Sequence, residues 1–181
     1  MKKFLLSILC VVFILQINAQ KVYATKTGQI SFNATGESVK IMAINNQVDS
    51  KFVESTGQIV FGVLIKTFKF ENQLMEDHFN ENYMESTKFP KADFKGFITN
   101  IKEVNFAKNG EYSIVVEGTL TIHGVGNKIG TKGVISVQNG IPVIKGEFAV
   151  SLKQYGIKGA YIGDKIASNA NIKLNCKYNI P

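Results

Sequence analysis

The sequence predicts an all-β domain, an antiparallel barrel or sandwich of eight or nine strands with one short helix near the middle of the chain. Apolar and polar residues alternate over segment after segment, the period of a strand with one buried face. Turn signals such as Asn-Gly separate the segments. One stretch, Met75–Gly96, departs from this pattern: it carries apolar residues at helical spacing, then a proline, then alternation again. Several strands are long, about eleven to thirteen residues, which favours a barrel over a sandwich.

The first nineteen residues read as a secretory signal. Lys2 and Lys3 precede the apolar run Phe4–Leu15, and Ala19 offers a small residue for cleavage. That run is shorter than the ~20 residues a membrane-spanning helix needs. Cys10 sits inside the run rather than after it, so a lipoprotein signal is excluded. The expectation is a single domain, residues 20–181, exported to a periplasm or the extracellular space.

Ile30, Phe32 and Ala34 share the inward face of the first strand. Val39–Asn45 and Val48–Val53 read as two antiparallel strands about an Asn45-Asn46 turn. Thr56-Gly57 marks another turn, after which Ile59, Phe61 and Val63 face inward. Beyond Ile65 the apolar parity flips to Phe68 and Phe70, the mark of a β-bulge. Met75, Phe79 and Tyr83 then form a helical stripe, with Leu74 and His78 on the adjoining row and Asn72 as N-cap. The helix ends over Ser86–Pro90. Lys91–Thr99 turns Ala92, Phe94, Gly96 and Ile98 inward. Lys108-Asn109-Gly110 reads as a hairpin turn of the Asn-Gly type. In Glu111–His123 the inward set is Tyr112, Ile114, Val116, Leu120 and Ile122. Gly124–Asn127 reads as the next turn, Lys128–Gln138 as a strand and Asn139-Gly140 as a tight turn. Pro142–Lys153 faces Ile144, Phe148, Val150 and Leu152 inward. After the Gly-rich loop Tyr155–Asp164, the last strand turns Ile166, Ala170, Ile172, Leu174, Cys176 and Tyr178 inward.

Composition excludes several function classes. The formal charge is +7, two units of which leave with Lys2 and Lys3, and all 21 basic residues are lysine. Arginine forks, the usual readers of bases, are absent, so nucleic acid is not an expected partner. Cys176 has no partner after the signal and is expected to be buried. His78 and His123 are the only histidines, too few for a zinc site. The acidic residues of the helical stretch read as a solvated face, and Gly124-Val-Gly126 precedes no helix, so it is no phosphate loop. Nothing points to an enzyme, a metal or a cofactor.

Four passages in order resemble one family. Asp77-His78-Phe79 with Lys88-Phe89-Pro90-Lys91-Ala92-Asp93-Phe94, the strand end Gly118–Val125, Phe148-Ala149-Val150 with Tyr155-Gly156-Ile157, and Ser31-Phe32 are together similar to the YceI-like lipid- and polyisoprenoid-binding family. The resemblance spans nearly the whole mature chain. It implies an extended, lipocalin-like antiparallel β-barrel of about eight strands, with the short helix capping one end. It also implies an elongated channel for a long apolar lipid: a polyisoprenoid, an isoprenoid quinone or a fatty-acyl amphiphile. Two departures remove polar handles from the interior. No histidine follows the first strand in Phe32–Val39, and Leu152 stands where many members carry arginine.

On this reading the channel is lined by Phe32, Phe61, Phe68, Leu74, Phe79, Phe94, Ile114, Val116, Leu120, Phe148, Val150, Leu152, Ala170, Ile172 and Leu174. His78 is the polar group nearest a headgroup. The expected partner is a small-molecule lipid. Transient contact with a membrane surface and a homodimer through an exposed barrel face are compatible with it. The other reading is a structural or stress-related interaction module whose barrel is filled and holds no ligand.

Overall fold

Strands with one apolar face bury it most completely by closing on themselves, which also removes exposed sheet edges. The computed structural model describes residues 20–37 and 39–179; the expected signal segment, with Cys10, lies outside them. Nine strands follow in order: β1 (Val22–Thr35), β2 (Met42–Val53), β3 (Gln58–Leu64), β4 (Lys69–Phe70), β5 (Lys91–Ile98), β6 (Gly110–Ile122), β7 (Val125–Gln138), β8 (Ile141–Ser151) and β9 (Ile166–Lys177). All neighbours are antiparallel, in the order β1-β9-β8-β7-β6-β5-β3-β2, and β1 pairs with β2 to close the eight-stranded barrel. Two-residue β4 lies beside the start of β2.

The local geometry corrects five sequence expectations. Asn45-Asn46 is no turn, because β2 runs through it; the β1–β2 register slips between Gly28↔Val48 and Ile30↔Asn45, so the extra residue is taken up as a bulge. The parity flip at Phe68 comes from a 3₁₀ turn, Ile65–Thr67, rather than a β-bulge. These two features are one device. Asn45 is 0% exposed, and its Nδ2 donates to the Leu64 carbonyl (3.1 Å) and to Thr67 Oγ1 (2.6 Å), while its Oδ1 accepts from the Gln47 N–H (2.8 Å). A buried amide thus supplies the hydrogen bonds that the interrupted ladder cannot. The helix is shorter than its apolar stripe: α1 (Gln73–His78) is capped by Asn72 as expected, then widens into a π-helical turn, Phe79–Tyr83.

The two remaining corrections concern turns. The β6–β7 turn is His123-Gly124, one step before the expected position, since Ile122 pairs with Val125. Both residues have positive φ (52° and 75°), as does the Asn139-Gly140 pair, the geometry of tight hairpins. Asn109-Gly110 is not a hairpin turn. Gly110 opens β6, and Asn109 Oδ1 accepts the N–H of Asn139 in the neighbouring hairpin (2.7 Å).

The connection from β5 to β6 therefore spans residues 99–109, and it closes the base of the barrel. Asn100 starts it by bonding across to β6, accepting from Val115 N–H (2.8 Å) and donating to the Ser113 carbonyl (3.0 Å). Ile101, Val104 and Phe106 are buried. Phe106 stacks on Tyr23 and Phe52, with ring centroids 5.6 and 5.9 Å away, and Tyr178 meets Phe52 edge-on at 4.9 Å. The Tyr178 hydroxyl lies 2.7 Å from Ser50 Oγ. Because Ser50 donates its proton to the Val60 carbonyl (2.8 Å), Tyr178 is the donor between them. Cys176 joins this plug as expected from its parity. It is fully buried, its Sγ fills the space a side chain on Gly28 would need, and burial pushes its thiol up to about 12.

Candidate functional site

The other half of the barrel is hollow. Above a floor of Ile59, Ile114, Ile144 and Gly133 opens an apolar cavity of about 670 Å³. Its walls are inward positions of strands all round the barrel: Ile30, Phe32 and Ala34 from β1, Phe61 and Val63 from β3, Phe94 from β5, Val116 and Leu120 from β6, Phe148 and Val150 from β8, and Ala170, Ile172 and Leu174 from β9. Cavity-lining positions on β9 run from Ile166 to Leu174. At ~3.3 Å per residue and a tilt of roughly 40°, the hollow half is about 20 Å deep.

Glycine shapes the wall at two levels. Phe94 lies over Gly96 and Gly118, which pair across β5 and β6, and a Cβ on either would strike its ring. Gly133 pairs with Gly146 between β7 and β8; a side chain on Gly133 would run into the Lys145 carbonyl. At both levels glycine admits a close neighbour, the Phe94 ring or the Lys145 carbonyl, where a side chain would clash.

The mouth is covered by α1 and the π turn. Phe79, on that turn, stacks on Phe32 (5.4 Å) and meets Phe70 (5.0 Å) and Phe68 (5.7 Å), so four aromatic rings roof one side. The connection back to the wall is clamped. His123 Nε2 donates to Glu85 Oε2 (2.8 Å), the Phe89 ring sits 4.4 Å from the His123 ring, and Ile65 N–H bonds the Pro90 carbonyl (2.9 Å). A side chain on Gly124 would strike Phe89. Asn127 Nδ2 then reaches the Gln154 carbonyl (3.1 Å). The Lys88-Phe89-Pro90, His123-Gly124 and Tyr155-Gly156 passages of the sequence thus meet at one point on the rim, and they hold the helical segment against the β6–β7 hairpin.

All sixteen residues expected along the channel line this cavity. They do so unequally: Phe94, Ile114, Leu120, Val150 and Ala170 are buried in the wall, whereas Leu74 is 64% exposed and His78 is exposed on the rim. Val39, Ile41, Tyr83 and Tyr161 also line the mouth, and Lys165 holds its Nζ 4.8 Å above the Tyr161 ring. Ile129 and Thr131 of β7 were missed because that strand is glycine-rich and alternates weakly; Phe70 was missed because its placement depends on the 3₁₀ turn. Among the described residues no three His, Cys, Asp or Glu side chains gather as a metal would require, and no helix is long and apolar enough to cross a membrane.

The model of the YceI-like domain matches residues 16–178. No curated protein sequence matches the chain. Among solved structures, a polyisoprenoid binding domain from Saccharophagus degradans, implicated in plant cell wall breakdown, superposes with a TM-score of 0.78 at 11% identity, covering 90% of this chain and 100% of that one. BcnA of Burkholderia cenocepacia follows at 0.68 and 15% identity, over 82% and 94% of the two chains. A Campylobacter jejuni YceI protein aligns over 99% of both chains at 0.50 and 16% identity. At these identities the likeness is one of fold.

Proposed function

The chain belongs to the YceI-like domain family, and on that premise we propose that it carries or sequesters one apolar lipid, isoprenoid or fatty-acyl, in the hollow half of its barrel, outside the cytoplasm. The observation that carries this is the cavity itself. Its 670 Å³ falls within the ~300–1,000 Å³ of pockets built for small ligands, and its walls are almost wholly apolar. The polyisoprenoid-binding domain of the same fold supports the ligand class.

The physics sets the mode of use. Each methylene moved from water into such a wall is worth about 0.8 kcal/mol. Against water, a long tail would sum towards the ~20 kcal/mol ceiling on affinity. Against a bilayer the balance is near neutral, so the lipid can be taken up and handed on. The aromatic plug makes the cavity a blind pocket rather than a through-channel. A tail longer than about 20 Å must fold back or leave its end at the mouth.

No cofactor, metal or catalytic step belongs to this reading. Export is part of it: cleavage after Ala19 predicts that protein recovered from outside the cytoplasm starts at Gln20, which intact-mass measurement checks. The direct test is an organic-solvent extract of protein purified from its native host, analysed by mass spectrometry. A stoichiometric isoprenoid or fatty-acyl species is expected. A clean extract leaves a barrel with an empty pocket and rejects the proposal.

A further inference from the structure

Six of the eight seams of the barrel wall are laddered close to the rim; β2–β3 stops at Asp49↔Gly62, where Asn45 and β4 take over, and the seam between β7 and β8 stops with no strand to replace it. Ladder pairing there stops at Gly133↔Gly146. Above it β7 runs on to Val125 alongside β6, and β8 runs on to Ser151 alongside β9, without pairing each other. Side chains bridge the gap instead. Thr131 Oγ1 reaches the Glu147 carbonyl (3.4 Å), and Asn127 bonds the Gln154 carbonyl in the 3₁₀ turn Lys153–Tyr155.

The unzipped seam encloses a second pocket of about 210 Å³. It adjoins the main cavity, sharing Leu120, Ile129, Thr131, Phe148 and Val150 with it. Tyr155 lines it and is only 2% exposed, yet its hydroxyl has no hydrogen-bond partner among the described residues. Burial raises the phenol's pKa, and the Asn127 side chain beside it offsets part of that rise. A buried hydroxyl without a partner costs stability, and this one is closed off from water as well, so an acceptor that enters the pocket and displaces the side chains over the hydroxyl recovers that cost. Among the described residues the pocket wall carries no lysine and no histidine: Thr131, Ser151, Gln154 and Tyr155 are its polar side chains. A phosphate there would be a buried charge without a counter-ion.

We propose that the seam is a polar subsite of the lipid cavity, in which the Tyr155 hydroxyl donates a hydrogen bond to an uncharged oxygen of the bound lipid, a hydroxyl or carbonyl rather than a phosphate. This rests on the lipid-holding function proposed above. The apolar tail lies in the main cavity, and the oxygen-bearing end turns sideways past Thr131 and Phe148 into the seam.

The test compares three probes of equal chain length by competition against a fluorescent apolar dye: geranylgeraniol, geranylgeranyl diphosphate and the hydrocarbon phytane. Tyr155→Phe is expected to weaken geranylgeraniol about three- to tenfold, the worth of one neutral hydrogen bond, and to leave phytane and the diphosphate unchanged. Ala149→Trp provides a second variant. Ala149 is exposed and lines the seam but not the main cavity, so filling the seam from it avoids the core and is expected to weaken geranylgeraniol alone. An equal effect of Tyr155→Phe on all three probes, no effect on any, or an effect on the diphosphate alone overturns the subsite while leaving the cavity as the lipid's seat. Failure of all three probes to bind the unaltered protein overturns the proposed function and the subsite together.

Discussion

Ala170→Trp separates a cavity that holds lipid from one that merely exists. Ala170 is a buried inward residue of β9, paired across the sheet with Val150 and lining the cavity between its floor and mouth. The substitution leaves every ladder pair of β8 and β9 in place and sends an indole into open space. An aromatic side chain of this size buries about 150–250 Å², surface the lipid would otherwise cover. At roughly 25 cal/mol per Å², that removes about 4–6 kcal/mol of lipid contact. If the lipid recovers half by shifting towards the mouth, the remaining 2–3 kcal/mol still lowers affinity by about thirty- to a hundred-and-fifty-fold. Native mass spectrometry of protein from the original host reports lipid per chain, and a circular-dichroism melt reports whether the barrel survives. The expected result is a melt at least as high as that of the unaltered protein with little or no lipid. A variant that melts normally and carries its full lipid refutes the assignment of this cavity as the seat.

Three further outcomes follow from the fold. Asn45→Ala removes a fully buried amide, taking the acceptor from the Gln47 N–H and leaving the Leu64 carbonyl and Thr67 hydroxyl only their bond to each other (2.9 Å); urea unfolding should show a loss of about 1–3 kcal/mol. Phe106→Ala empties the centre of the base plug and should cost about 3–5 kcal/mol in the same assay, while lipid content stays unchanged because the plug lies below the cavity floor. The third outcome concerns alkaline pH. Folding raises Cys176 from 9.0 to about 12 and Tyr23 from 10.0 to about 12, by burial first and, for Tyr23, by the Glu54 carboxylate next. Below pH 9 both states keep these protons and stability is flat; between about 9 and 12 the unfolded chain releases them first, so stability falls as pH rises. Urea midpoints across that range check the slope, and Cys176→Ala should delay its onset by about one pH unit, from the thiol's unfolded pKa to the phenol's.

The side to which each residue points is a local property, and it was legible. A strand has a period of two, so the parity of Ile114, Val116 and Leu120, or of Ala170, Ile172 and Leu174, reads directly as the inner face. That is why the residues expected along the channel reach the cavity wall, and why Cys176 is buried. The Asn72 cap and the Asn139-Gly140 turn were legible for the same reason, because each is settled within a few residues. Met75–Gly96 was legible as a helical segment followed by a strand, but its passage into a π turn was not.

Depth along the barrel axis was not legible. Parity assigns Tyr178 and Leu174 the same face, yet one packs in the plug and the other lines the cavity. What separates them is Phe106, brought across the base by a loop far away in sequence. Asn45 reads as a turn residue in its own neighbourhood; only the approach of Leu64 and Thr67 makes it a buried bridge. The open seam is likewise tertiary, since β7 and β8 are each fully paired on their other side. The amino-acid sequence by itself determined an all-β domain and the inner face of its strands, because alternation and turn chemistry act over a few residues. Only the tertiary structure decided which half is filled, where the wall opens and which hydroxyl is left without a partner, because those depend on contacts between segments that the chain brings together by closing.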